Sequence, residues 1–136
     1  MKAIICGANG AMGKLIDQIL GDQTVGRVSI DGENNVPKTF AQLGTVDADI
    51  IIDFSHHSAI ADVITYAKEN NLSIVVGTTG HTEEERAMIF AAAKELPVFY
   101  SGNMSLGIAV LCRLAKQAAA YFPDADIEIL EIHHNR

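Results

Sequence analysis

Cysteine is scarce in this chain. Its 136 residues include two, Cys6 and Cys112, with no C-x-x-C spacing, which excludes a thioredoxin-type redox motif and a cysteine zinc site. Both read as buried, reduced thiols rather than a disulfide. Basic side chains are few as well: 10 Lys and Arg stand against 17 Asp and Glu, a net charge of −7. Such a surface repels phosphate backbones, so nucleic acid is not an expected partner, although a local patch can still take a small anion. Long apolar runs are also missing. No stretch reaches the roughly 20 residues that a membrane-spanning helix needs, and MKAIICGANG turns to glycine too soon for the apolar region of a signal peptide. No membrane partner is expected, and the chain reads as cytoplasmic. Aromatics make up 6% and hydrophobic residues 49%, the composition and size of one compact domain.

Short apolar runs recur at Lys2 to Cys6, Arg27 to Ile30, Asp49 to Phe54, Ser73 to Val76, Pro97 to Tyr100 and Ile127 to Ile132. They read as six strands. Most lack polar alternation, as expected of strands covered on both faces of a parallel sheet. Between them, Met12, Leu15, Ile16 and Ile19 form one apolar stripe at helical spacing, and Ile60, Val63, Ile64 and Ala67 form another. Thr82 and Glu85 have the spacing of a capping box, and Leu96-Pro97 closes the helix that follows. A last helix carries Gly107, Val110, Leu111, Leu114, Ala115 and Ala118 and stops before Pro123, while a short helix fits Thr39 to Leu43. Strand and helix alternate through residues 1–136, without linker or repeat, as in an α/β, doubly wound, mostly parallel sheet of the Rossmann type. Ligands bind such sheets beyond the carboxyl ends of the strands.

The turn CGANGAMG places Gly7, Gly10 and Gly13 between the first strand and the first helix. Alone, a G-x-x-G-x-x-G triplet is weak evidence, because ordinary turns carry it too. In this context it offers backbone amides and a helix N-terminus to a pyrophosphate, with Gly13 admitting close packing of helix on sheet. A P-loop is excluded because no G-K-[ST] follows at the required spacing. Asp31, ending the second strand, lies where a dinucleotide fold places an acid on the adenine ribose; the other reading is a plain Asp-Gly turn. Its carboxylate disfavours a 2′-phosphate, so NADH is expected ahead of NADPH, with Arg27, Lys14 and Lys38 as the cations able to reach round.

Three further strand ends reach the same edge: Asp53-Phe54-Ser55-His56-His57-Ser58, Gly77-Thr78-Thr79-Gly80 and Ser101-Gly102-Asn103-Met104-Ser105. The second offers backbone groups to a flat carboxamide or is a plain loop; Phe54 either sits beside a nicotinamide or fills core. Ser58 and Ser105 read as helix N-caps. His56, His57 and His81 lack metal spacing and read as solvated or cap-associated, so no metal site is expected. His133 and His134 would leave the sixth strand on opposite faces, too awkward a geometry for joint zinc ligation.

GANGAMG, IIDFS, GTTG, GNMS before a helix, and EIHH, in this order, together resemble the 4-hydroxy-tetrahydrodipicolinate reductases, the dihydrodipicolinate reductases of lysine (diaminopimelate) biosynthesis. The resemblance implies an NAD(P)H-dependent oxidoreductase. In its terms Gly7, Ala8, Asn9, Gly10, Ala11 and Met12 hold the cofactor pyrophosphate and Asp31 the ribose. Gly77, Thr78, Thr79, Ser101, Gly102, Asn103 and Met104 flank the nicotinamide. It assigns His133 as catalytic proton donor or acceptor and His134 as a ligand of the cyclic dicarboxylate substrate. Ala11 and Gly32 replace basic residues common in the family, which strengthens the NADH expectation. The resemblance also implies that the motif continues past Arg136 into a substrate-binding and tetramerisation domain. This chain would then be the cofactor-binding half, inactive alone, of a homotetramer. The rival reading is a stand-alone, non-catalytic dinucleotide-binding or sensing module.

Overall fold

The computed structural model describes residues 1–130 and 132. Five strands, β1 (Ala3–Cys6), β2 (Thr24–Val28), β3 (Ile50–Asp53), β4 (Ser73–Val76) and β5 (Val98–Tyr100), form one sheet in the order β2-β1-β3-β4-β5. Every pairing is parallel. The Rossmann-type α/β sheet expected from the sequence is therefore present. The chain divides into two units, Met1–Gly102 and Asn103–Arg136, and the sheet belongs entirely to the first.

Register explains the core. Ile4, Ile51, Ile74 and Val98 lie in one row across the sheet, and Val28, Cys6, Asp53, Val76 and Tyr100 in the next toward the carboxyl edge. Helix α3 (Ile60–Asn70) turns the predicted stripe onto this face: Ile60, Val63, Ile64 and Ala67 are all buried, as is Ile89 of α4 (Glu83–Ala92). Each fully buried Ile or Val contributes about 1.5–3 kcal/mol of apolar transfer free energy, so this layer dominates the stability of the unit. The Thr82–Glu85 capping box forms as expected, its hydroxyl accepting from the Glu85 amide at 3.2 Å and its amide donating to Glu85 Oε2 at 2.8 Å. A single turn, α2 (Phe40–Leu43), capped by Thr39, fills the short helical slot.

Four expectations need correction. The second strand runs from Thr24 to Val28, upstream of the predicted Arg27 to Ile30, so Asp31 sits in the turn beyond it. This strand is an edge strand with alternating burial, and that pattern carries less of a continuous apolar signal. Helix α1 (Ala11–Leu20) buries only Gly13, leaving Met12, Leu15 and Ile19 exposed rather than laid on the sheet. Residues 127–130 and 132 form no strand, because a strand exists only as half of a ladder and these residues pair with no neighbour among the described residues. Cys6 is buried, but Cys112 is exposed, on the helix Leu106–Tyr121, which buries none of its residues.

The second unit carries α5 (Leu106–Tyr121), which Ser105 caps by accepting from the Ile108 amide at 3.4 Å and which ends at Phe122, before Pro123. Among the described residues no helix is long and apolar enough to cross a membrane.

Candidate functional site

The turn after β1 is dictated by lack of space. Gly7 has φ +84°, and a Cβ there would lie 2.3 Å from the carbonyl oxygen of Phe54. At Gly13 the backbone is helical, but a Cβ would come 2.1 Å from the Gly7 carbonyl oxygen, so only glycine lets α1 approach the strand end this closely. Hydrogen bonding then sorts the turn's amides. Gly7 and Ala8 donate to the Val28 carbonyl at 2.8 and 3.1 Å, and Gly10 donates to the Gly7 carbonyl at 3.0 Å. The amides of Ala11 and Met12, in the first turn of α1, have no intrahelical acceptor. They form the positive end of the helix dipole, the combination that suits a diphosphate.

Asp31 is tied to this turn. Asn9 Nδ2 donates to Asp31 Oδ1 at 2.5 Å and to the Glu33 carbonyl at 3.1 Å, and the Glu33 amide donates to the same carboxylate oxygen at 3.0 Å. The Asn9 amide, and after it the Glu33 N–H, hold the Asp31 carboxyl below the usual carboxylate range. Asp31 therefore stands charged and oriented beside the glycine turn. Arg27 is not available to offset that charge, since its guanidinium donates to both Asp17 oxygens at 2.9 and 2.6 Å. Lys38 is available: it forms no ion pair among the described residues, and its stem lies where a Cβ on Gly32 would meet Lys38 Cε at 2.4 Å.

A cleft of about 610 Å³ opens between these groups, lined by Gly7, Gly10, Asp31, Lys38, Phe54 and Ser55 among others. Two predicted cofactor residues beyond the glycine turn, Asp31 and Phe54, thus meet in one cavity with it. Gly77, Thr78, Thr79, Ser101 and Gly102 lie at the carboxyl ends of β4 and β5, outside that lining. The Phe54 ring packs on Gly77, where a Cβ would meet ring carbons at 2.4 Å. Asn103 and Met104 belong to the second unit, where Asn103 Oδ1 accepts from the Ser105 amide at 2.8 Å. His133 and His134 lie outside the described residues.

Sequence reasoning missed the groups beneath the cleft. Asp53 is 1% exposed, with Oδ2 accepting from Thr78 Oγ1 at 2.8 Å and Oδ1 accepting from the Ser55 hydroxyl at 2.5 Å and amide at 3.2 Å. The signal was there: a carboxylate closing the strand IIID is out of place unless something donates to it. Burial, and then the nearby Asp53 charge, push the Cys6 thiol up to about 12. Of the histidines, His56 is cap-associated as expected, while His81 is not solvated. His56, not Ser58, caps the turn before α3, its Nδ1 accepting from the Ser58 amide at 3.3 Å. His56 precedes the turn in extended backbone, so its ring reaches the free amide two residues on, whereas Ser58 already lies inside the turn. His57 Nδ1 meets Glu85 at 2.9 Å, and His57, followed by the Thr82 amide, lowers the Glu85 carboxyl from its ordinary value. His81 is buried rather than solvated, because its ring packs edge-on against Tyr100 of β5, with the Tyr100 hydroxyl 3.4 Å from its Nδ1. Among the described residues no three metal-ligating side chains come together.

Comparison with known proteins gives consistent matches. The family model described as "Dihydrodipicolinate reductase, N-terminus" matches residues 1–104. The 4-hydroxy-tetrahydrodipicolinate reductase of Caldanaerobacter subterraneus subsp. tengcongensis is 39% identical over 99% of this chain and 56% of its own length. That of Campylobacter jejuni is 40% identical over 98% of this chain and 54% of its own. The chain thus spans about half the length of the curated relatives it matches. In fold it resembles a dipicolinate-bound dihydrodipicolinate reductase from Paenisporosarcina sp., at a TM-score of 0.63 and 21% identity, covering 91% of this chain and 55% of that one. It also resembles an aspartate dehydrogenase from Thermotoga maritima, at a TM-score of 0.57 and 16% identity, covering 85% and 52%.

Proposed function

This chain belongs to the dihydrodipicolinate reductase family, and from that membership we propose that residues 1–136 hold a nicotinamide dinucleotide in the cleft beside Asp31, as the cofactor-binding portion of a 4-hydroxy-tetrahydrodipicolinate reductase. The observation that carries this reading is the Asn9–Asp31 hydrogen bond, which fixes a carboxylate against a glycine turn. One element recognises phosphate and the other a ribose diol, and the bond between them sets their spacing. The absence of Cβ atoms at Gly7 and Gly13 supports the same fit, since it brings the turn's backbone close enough for amides rather than side chains to meet the diphosphate.

Each end of the cleft then has a task. The amides of Ala11 and Met12 hold the diphosphate, and Asp31 accepts from the ribose hydroxyls. Phe54 offers a flat apolar wall at the other end, with Gly77, Thr78 and Thr79 beyond it and Ser101 and Gly102 completing that edge. The dinucleotide, when bound, supplies a hydride to the substrate's conjugated imine. His133 holds the proton that completes the reduction, a task an imidazole performs near neutrality, and His134 binds the cyclic dicarboxylate. In the complete protein these residues adjoin a substrate-binding and tetramerisation domain, working in the cytoplasm as a homotetramer.

NADH is the preferred cofactor in this reading. Asp31 repels a 2′-phosphate, and neither Ala11 nor Gly32 brings a compensating charge. Lys38 sets the limit of that preference, because it is the cation lining the same cleft. Fluorescence titration of the chain with NADH and NADPH tests the whole proposal. Wild type should bind NADH more tightly; Asp31→Asn should narrow the gap; Lys38→Met should widen it. Binding of neither dinucleotide, or an Asp31→Asn chain with unchanged preference, refutes it.

A further inference from the structure

Resting on the dinucleotide reading above, we propose that Asp53 is a positioning residue: a buried carboxylate that locks the loop after β3 to the loop after β4 and so places the nicotinamide end of the cleft.

Asp53 closes β3 in the outermost core row, between Cys6 and Val76, and is 1% exposed. No cation faces it among the described residues' ion pairs. Three neutral donors do. Thr78 Oγ1 donates to one oxygen at 2.8 Å, and the Ser55 hydroxyl and amide donate to the other at 2.5 and 3.2 Å. Thr78 Oγ1 also accepts from the Ser55 amide at 2.9 Å, which closes a ring of hydrogen bonds around three residues at the ends of two strands. An apolar side chain would serve the core at lower desolvation cost, so the carboxylate is not there for packing. What the ring fixes is relative position, the property that fully satisfied buried networks confer.

The two loops it joins are those of the proposed nicotinamide end. Ser55 follows Phe54, whose ring packs on Gly77, and Thr78 follows Gly77. A shift of either loop would move the aromatic wall against the glycine that accommodates it. The ring also settles how Thr78 is used. Its hydroxyl is committed inward as both donor and acceptor, so it presents backbone, not side chain, to a ligand. The adenosine end lies elsewhere, at the turn after β2, with β1 between β2 and β3.

That separation supplies the test. The chain is titrated with NADH and with ADP-ribose, which lacks the nicotinamide, in wild type, Asp53→Asn, Thr78→Val and Thr78→Ser. Asp53→Asn and Thr78→Val should weaken NADH about tenfold, the scale of a misplaced pair of hydrogen bonds, while ADP-ribose affinity holds within about twofold. Thr78→Ser, which keeps the hydroxyl, should restore NADH affinity. Parallel loss of both ligands, or a Thr78→Ser chain as impaired as Thr78→Val, overturns the proposal. If Asp53→Asn does not fold, the Thr78 pair decides alone. Wild type that binds neither ligand fails the dinucleotide reading itself, an outcome distinct from a wild type that binds both and variants that show no split.

Discussion

Gly13→Ala isolates the close approach of α1 to the strand end from every other demand on glycine. The position is helical, so the new methyl group meets no φ penalty and gains about 1 kcal/mol of helix propensity. Against that, its Cβ would stand 2.1 Å from the Gly7 carbonyl oxygen and 2.8 Å from Ala8 Cα. Both obstacles are backbone, which cannot rotate away, so the helix must retreat by roughly an ångström. Overpacking of this kind costs about 1–3 kcal/mol, and backbone contacts place it at the upper end. The net loss is about 2 kcal/mol, a fall in melting temperature of roughly 8–16 °C for a unit of this size. Retreat also carries the amides of Ala11 and Met12 away from the diphosphate, so NADH affinity should fall by more than tenfold at temperatures where the chain stays folded. Circular dichroism melts and fluorescence titration measure the two effects. Gly21→Ala is the control: at φ +53° with nothing within 4 Å, it should cost about 1–2 kcal/mol of stability and leave affinity alone. A Gly13→Ala chain that melts at or above wild type and binds NADH normally would refute the steric reasoning.

Three further outcomes are expected. Asn9→Ala should let the Asp31 carboxyl rise toward its ordinary value, read by carbon-13 NMR titration, because the Asn9 amide is the main cause of its depression. A depressed carboxylate adds stability that is complete above its unfolded value near 4 and is lost as pH falls through the lower folded value, so the difference between wild type and Asn9→Ala should shrink in strong acid to the part carried by the Asn9 bond to the Glu33 carbonyl; an unchanged titration would exclude the assignment. Thr82→Ala should cost about 1 kcal/mol through loss of the capping box and lower the melting temperature by roughly 4–8 °C, with no melting change counting against the cap. In native buffer a thiol reagent should label Cys112 promptly and Cys6 only on unfolding, since burial and Asp53 push the Cys6 thiol up to about 12; two fast thiols would contradict the buried β1.

What could be read from the sequence follows from the range of the interaction. Helical stripes and capping boxes act over three or four residues, so Ile60 to Ala67 and Thr82 with Glu85 were legible. The sheet class was too, because runs such as IIID and SIVV need cover on both faces. The glycine turn and Asp31 were visible as a pair, but not the Asn9 side chain that joins them across 22 residues of sequence. The same limit hid the Asp53–Thr78 contact, which spans 25 residues. Edge strands carry half a burial signal, which is why β2 was placed downstream of its true position. The apolar run from Ile127 looked like a strand because composition records propensity and not the presence of a partner to pair with.

The position of β1 bears on what its loss would cost. It is an inner rung that both β2 and β3 grip, and its four residues are sealed from solvent. The next methionine is Met12, already inside α1. A polypeptide initiated there would be shorter by only eleven codons yet would lack the rung on which two neighbours depend and the turn that shapes the cleft. Such a product would have no sheet to complete, so synthesis begun at Met12 forfeits the fold.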